Sequence, residues 1–291
     1  MSCPDCFAGS AWRAQPTGTL TTVHGVRTYV ARGASPHQGG TTIVLITDAF
    51  GFNLANSQLL ADVYAASTGF CVLVPDIIPG GGVPLYSLDL MNSVRKPVAW
   101  WNVWGQLVRI STVVRMLSIF IPFARRTRNV YPHILAYTRA VRAGLESGKK
   151  LGVAGFCWGA MHTMQLSAES VATENDANQH QEPLVHAQFV AHPSGLKPAA
   201  MIQFLSRFSV PVSIAVGDED IILPKESAAE LEAGLRKFYP VDEQPSRLEI
   251  KMYSNCGHGF AVRADRSKEV ENESADLAAA QASEWFRTFL A

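Results

Sequence analysis

The sequence predicts an α/β fold: one domain built on a doubly wound, mostly parallel sheet with flanking helices. Three observations carry this reading. The runs TTIVLIT (41–47), FCVLVPD (70–76) and KLGVAGF (150–156) are continuously apolar and rich in β-branched residues, the mark of strands buried on both faces. Segments of helical spacing lie between such runs, so strands and helices alternate along the chain. Finally, 291 residues at 47% hydrophobic and 17% charged, with no Ser/Gly/Pro-rich linker, suit a single large domain. Residues 1–18 are read as an N-terminal extension and 19–291 as the domain.

Taken in order, TLTTVHGVRTYVA (19–31) reads as two short β segments turning at His24-Gly25. The strand at 41–47 ends in the turn DAFGFN. A helix follows over 53–68, with Leu54, Ala61, Tyr64 and Ala65 at helical spacing and Gly69 as its stop. The strand at 70–76 leads into the glycine-rich loop IIPGGGVP. Helices are predicted over 98–121 and 129–146, a strand over 150–156 and a helix from about 158 to 168. Segment 169–185 is polar and reads as a surface loop. Strands follow at 186–192, 210–218 and 247–253, with a helix at 224–238 between the last two. A helix over 268–290 closes the chain.

Several function classes are excluded at this level. Lys+Arg and Asp+Glu are both 25, so no bulk basic field draws nucleic acid or an anionic membrane. The start MSCPDCFAGSAWRAQ lacks a cationic stretch followed by an apolar core, so no signal peptide is read there. Five cysteines (3, 6, 71, 157, 256) at irregular spacing argue for free thiols in a reducing, cytoplasmic setting. Cys3 and Cys6 form a C-x-x-C with no second pair for zinc, and no metal or other cofactor is expected. Gly80-Gly81-Gly82 lacks the Lys-Ser/Thr of a phosphate cradle. The apolar stretch 98–123 has Arg109 and Arg115 near its middle, so it is not read as a transmembrane span. Trp100, Trp104, Leu107, Val108, Val114, Leu117 and Ile121 form a helical stripe, read first as a packed face, then as a lid, and last as a membrane contact.

The chemistry is concentrated at strand ends, where doubly wound sheets place their ligands. Gly155-Phe156-Cys157-Trp158-Gly159 follows a strand and precedes a helix. Small flanking residues permit a strained turn that lifts the cysteine above the sheet, and the Trp158 N–H can face a developing oxyanion. The helix N-terminus favours a thiolate. Asp218, in VGDED, directly follows a strand and can orient a histidine. His258, in NCGHGF, sits in a glycine-flanked loop after the last strand. Alone, each signal also fits a structural turn, a surface acid or a structural histidine. Together they follow the order nucleophile, acid, histidine that belongs to α/β-hydrolases. His192, in AHPSG, is a further strand-end residue, read as a loop residue or a substrate contact.

The stretches CPDCFAG at the start, then TDAFGFNLANSQLLAD, VLVPDIIPG, GFCWGA, AHPS, VGDED and CGHGFAVR in this order, resemble the dienelactone hydrolase family, in particular its fungal-type members, and the resemblance covers roughly 19–290. The resemblance implies an α/β-hydrolase fold, Cys157 as nucleophile, His258 as base and Asp218 as its orienting acid. It also implies the Ala49 N–H as second oxyanion donor and Arg263 as a residue for a substrate carboxylate. Where the family carries a glutamate that helps activate the thiol, this sequence has Asp48, one methylene shorter. The expected activity is hydrolysis of a lactone or activated ester through an acyl-enzyme. The alternatives are lactone opening or non-hydrolytic rearrangement in a secondary-metabolite (polyketide) pathway, a catalytically weak binding module, and a thiol redox role for Cys3 and Cys6. The expected partner is a small-molecule lactone or ester, with no nucleic acid and a homodimer left open.

Overall fold

The computed structural model describes residues 15–33, 40–95, 97–171, 182–240, 245–264 and 268–291. Cys3, Cys6 and most of the predicted 169–185 loop lie outside the described residues. One eight-stranded sheet organises the chain, in the order β1-β2-β4-β3-β5-β6-β7-β8. The hairpin of β1 (Thr19–Val23) and β2 (Val26–Ala31) turns through His24 and Gly25, with φ of 47° and 79°. A two-residue turn with both φ positive matches the twist of the strands it joins. β2 is antiparallel to β4 (Cys71–Pro75). From there β3 (Thr42–Ile46), β5 (Leu151–Phe156), β6 (Ala187–Ala191), β7 (Val212–Gly217) and β8 (Leu248–Tyr253) are all parallel. β3, β5, β6 and β7 are buried along their whole length, as their mainly apolar runs favour, with Gln188 of β6 and Ser213 of β7 among the buried polar exceptions.

Helices cover both faces. α1 (Ala55–Thr68) packs with the short α8 (Phe260–Arg263) and the closing α9 (Glu269–Leu290) on one side. On the other lie α4 (Tyr131–Ala143), α5 (Trp158–Leu166), α6 (Pro198–Ser206) and α7 (Lys225–Leu235). α1 stops at Gly69, whose φ of 77° is the left-handed cap a helix end favours. The order reverses between β3 and β5: the chain leaves β3 toward β4, then returns past it to β5. Such a switch point opens a crevice beyond the carboxyl ends of the strands.

The structure adds α2 (Ser87–Arg95), which the Asp/Asn-containing stretch SLDLMNSVR did not signal, and α6, whose opening Pro198 sits where a missing N–H costs nothing. It also corrects the reading of the long apolar segment. α3 (Val103–Thr127) is a 25-residue helix whose expected packed stripe faces outward. Only its C-terminal part is seated, with Phe123 and Thr127 buried and Arg126 Nη2 donating to the Gly81 carbonyl at 2.6 Å. It lies against α2 rather than on the sheet.

Candidate active site

β5 runs into α5 with a single residue between them, Cys157. Its φ of 51° and ψ of −112° place it in a backbone region that side chains with a Cβ seldom occupy. The flanking glycines make this turn achievable. A Cβ on Gly155 would strike Thr163 and the Gly159 carbonyl, and one on Gly159 would strike the carbonyl oxygens of Ile46 and Thr47. Cys157 is therefore held at the N-terminus of α5, above the sheet and beside the end of β3. Its half-buried thiol lies 3.1 Å from His258 Nε2 and 3.6 Å from Ser194 Oγ.

Behind His258 stands Asp220, not the expected Asp218. Asp220 is 2% exposed and its carboxylate lies 2.9 and 3.1 Å from His258 Nδ1. Its Oδ1 also accepts from the amides of Ile222 and Leu223, at 2.8 and 3.2 Å, so the loop itself fixes the carboxylate. The cause is local. The Asp218 N–H still bonds to Tyr253 as an extension of the β7–β8 ladder, and its carboxylate turns to the Cys256 amide at 3.4 Å. Only after the turn closed by Asp220 N–H on the Gly217 carbonyl does the chain come under His258.

The electrostatics of the pair are coupled. Burial works against a thiolate at Cys157, but the charge and hydrogen bond of His258, aided by Arg263, outweigh it against the opposing Asp48 and hold the thiol below its ordinary value. Burial likewise disfavours a charged His258, yet the Cys157 charge and the Asp220 and Cys157 hydrogen bonds push it up to about 9. The arrangement stabilises thiolate and imidazolium together.

Asp48, fully buried at the end of β3, does not reach for the thiol. One carboxylate oxygen accepts from the Phe50 amide at 2.9 Å and the other pairs with Arg263 Nη1. Arg263 is itself 4% exposed and lies over the Phe50 ring at 4.8 Å. Ala49 and Trp158 line the same cavity as Cys157. Trp158 opens α5, where helix geometry leaves its N–H without an intrahelical acceptor. The cavity, of about 350 Å³, has Cys157, His258, Ser194 and Arg263 at its base. Leu88 and Met91 of α2 with Phe120 and Phe123 of α3 form an apolar roof. His192 does not line it: fully buried, at φ 38°, it stands edge-on behind the His258 ring at 5.1 Å. Burial holds it neutral.

The model of the dienelactone hydrolase family matches residues 26–290. The chain belongs to that family. Among curated relatives, dienlactone hydrolase 1 of Gibberella moniliformis is 26% identical over 89% of this chain and 82% of its own length. Hydrolase pyvD of Aspergillus violaceofuscus is 26% identical over 98% and 96%, and the carboxymethylenebutenolidase homolog of Mus musculus 22% over 90% and 86%. The dienelactone hydrolase of Anabaena variabilis superposes with a TM-score of 0.51 at 15% identity, covering 95% of this chain and 99% of that one. An esterase of Thermogutta terrifontis gives 0.53 at 12% identity over 92% and 94%. These structures bear on the α/β-hydrolase fold alone. As a dienelactone hydrolase family member, the protein is a hydrolase of lactone or ester bonds. Asp220 and Ser194 are two residues beside Cys157 and His258 that sequence reasoning passed over. Asp220 had a signal, being the second carboxylate of VGDED, whereas Ser194 had none beyond its place in AHPS.

Proposed function

We propose that the protein opens a lactone or activated ester through a thioester intermediate on Cys157, with His258 and Asp220 completing the catalytic group. The observation that carries this is the 3.1 Å contact between Cys157 Sγ and His258 Nε2, backed by Asp220 on the other ring nitrogen. The Cys157 thiolate adds to the substrate carbonyl, and the oxyanion forms against the backbone amides of Ala49 and Trp158. Collapse breaks the C–O bond, and the leaving oxygen takes the His258 proton. Neutral His258 then removes a proton from water, whose addition to the thioester regenerates the thiolate and releases the carboxylate. Asp220 keeps Nδ1 protonated, which leaves Nε2 to face the sulfur. A thiolate expels enolates and other good leaving groups readily, which favours enol-lactones and aryl esters over amides.

Thiol activation rests on His258 rather than on Asp48, because the Asp48 carboxylate is occupied by Arg263 and the Phe50 amide. Arg263 is balanced by that same pairing, so the substrate needs no carboxylate to neutralise it. The apolar roof favours a lactone with a sizeable hydrophobic part. The test is turnover of an enol-lactone, a simple aryl acetate and a bulky aromatic lactone by wild type and Cys157→Ala, with mass spectrometry of the quenched enzyme. The expected result is an acyl adduct on the Cys157 peptide and loss of turnover in the variant. Undiminished turnover by Cys157→Ala overturns the proposal.

A further inference from the structure

The equal totals of acidic and basic residues conceal a segregation. Residues 90–145 hold nine of the 25 Lys+Arg and none of the 25 Asp+Glu, so the rest of the chain is acidic by the same margin. Arg139 and Arg142 are engaged by Glu169 and Glu182. Arg109, Arg115, Arg125 and Arg128, on α3 and the turn after it, are exposed and carry no ion pair among the described residues.

On this element Val103, Leu107, Ile110, Val114, Leu117 and Ile121 recur in steps of four and three, and they are 44–70% exposed. Trp100, Trp101 and Trp104 add three exposed indoles at its N-terminal end, at 82%, 69% and 76%. Folded soluble proteins seldom leave a contiguous apolar patch of this kind to water. α3 is also long and apolar enough, by length and composition, to cross a membrane. Its seated C-terminal part and its mid-helix arginines point to lying on a bilayer rather than through it.

We propose that α3, with the tryptophans at its start, is a docking surface for an anionic lipid bilayer. An aliphatic stripe and arginines on one helix, with tryptophans clustered at its start, are what an interfacial helix needs: apolar area to bury, cations for lipid headgroups and indoles for the boundary. Charge argues against a second copy of the chain as the occupant. A two-fold pairing lays a patch on itself, and here it would set arginines against arginines with no carboxylate on the element to answer them. Docking would place the roof of the cavity at the lipid surface, because Phe120 and Phe123 of the same helix form that roof. The surface stands independently of which ester the site takes.

The test is co-sedimentation of the full chain with phosphatidylcholine vesicles, with and without phosphatidylserine, read together with tryptophan emission and the mass of the free protein in solution. Three proteins are compared: wild type, the triple variant Trp100→Ser/Trp101→Ser/Trp104→Ser, and Arg109→Gln/Arg115→Gln. Hydrolysis of a soluble aryl ester checks that both variants fold, since none of the five residues lines the cavity. The expected result is at least about tenfold tighter binding of wild type to the anionic vesicles, with a blue shift of emission. The arginine variant should lose about tenfold and the tryptophan variant its shift. Equal binding to both vesicle types, or none to either, overturns the proposal. So does a wild-type dimer that ignores vesicles and that Leu107→Glu converts to monomer, since a second copy then covers the face.

Discussion

Asp218 and Asp220 lie two residues apart in one short loop, and the geometry gives only the second a hold on His258. Asp220→Asn should lower kcat/KM by about 10²-fold or more, because an amide can present its N–H to Nδ1 and favour the wrong tautomer. Asp218→Asn keeps an oxygen for the Cys256 amide and should stay within a few-fold of wild type. Steady-state kinetics of the two variants decides between them, and the opposite ranking would restore Asp218. The thiol offers a second check. Cys157 is shifted down, while burial pushes Cys71 and Cys256 up. Alkylation by iodoacetamide, mapped by peptide mass, should therefore label Cys157 ahead of those two at neutral pH. Its rate should persist to a lower pH than for a free cysteine, and His258→Ala should move that inflection upward. Activity should also fall on the alkaline side near pH 9, where His258 gives up the proton it lends to the leaving group. Cys157 and His258 were legible because flanking glycines mark turns. The choice between two aspartates was not, because it depends on where the ladder stops and the turn begins.

Among the elements, those buried in the sheet were the most legible, since an uninterrupted apolar run of strand length admits few alternatives. The turn from β5 to α5 was legible for a different reason: two glycines at fixed spacing serve two distinct clashes. Gly159→Ala drives a methyl into the backbone oxygens of Ile46 and Thr47, which end β3. It should cost about 1–3 kcal/mol in urea unfolding and reduce turnover as well, since the same shift displaces Cys157 and Trp158. Gly69→Ala is the contrast. A Cβ there meets nothing within 4 Å, so its cost is the left-handed backbone alone, about 1 kcal/mol, with activity retained. If both variants kept wild-type turnover, the close approach of α5 to β3 would not be what positions the elbow. α3 was misread because periodicity reports that an apolar face exists and not what covers it. Of the expected stripe, Leu107, Val114, Leu117 and Ile121 share one row of α3 with Val103 and Ile110, and that row faces away from the sheet.

At the scale of the whole molecule, the site is assembled from loops that follow β3, β5, β6, β7 and β8, so residues 48 to 263 must fold together before any of it exists. Sequence order and strand-end position made this assembly readable, whereas the roof was not, since α2 gave no signal. Charge shows the same limit of totals. Formal net charge is zero and the sequence pI about 7.1, which by itself predicts weak binding to any ion exchanger near neutral pH. The distribution predicts otherwise. With the arginines of α3 unanswered and the remaining chain acidic, the protein presents two opposed fields, each local enough to act alone. At pH 7 and low salt it should be retained by both a cation and an anion exchanger. It should leave both as salt reaches on the order of 0.1 M, where the screening length falls to about 10 Å. Arg109→Gln/Arg115→Gln should weaken retention on the cation exchanger and leave that on the anion exchanger no weaker. Passage of the wild type through both columns unretarded would show that the charges are intermixed over the surface, and that the sequence segregation does not survive folding.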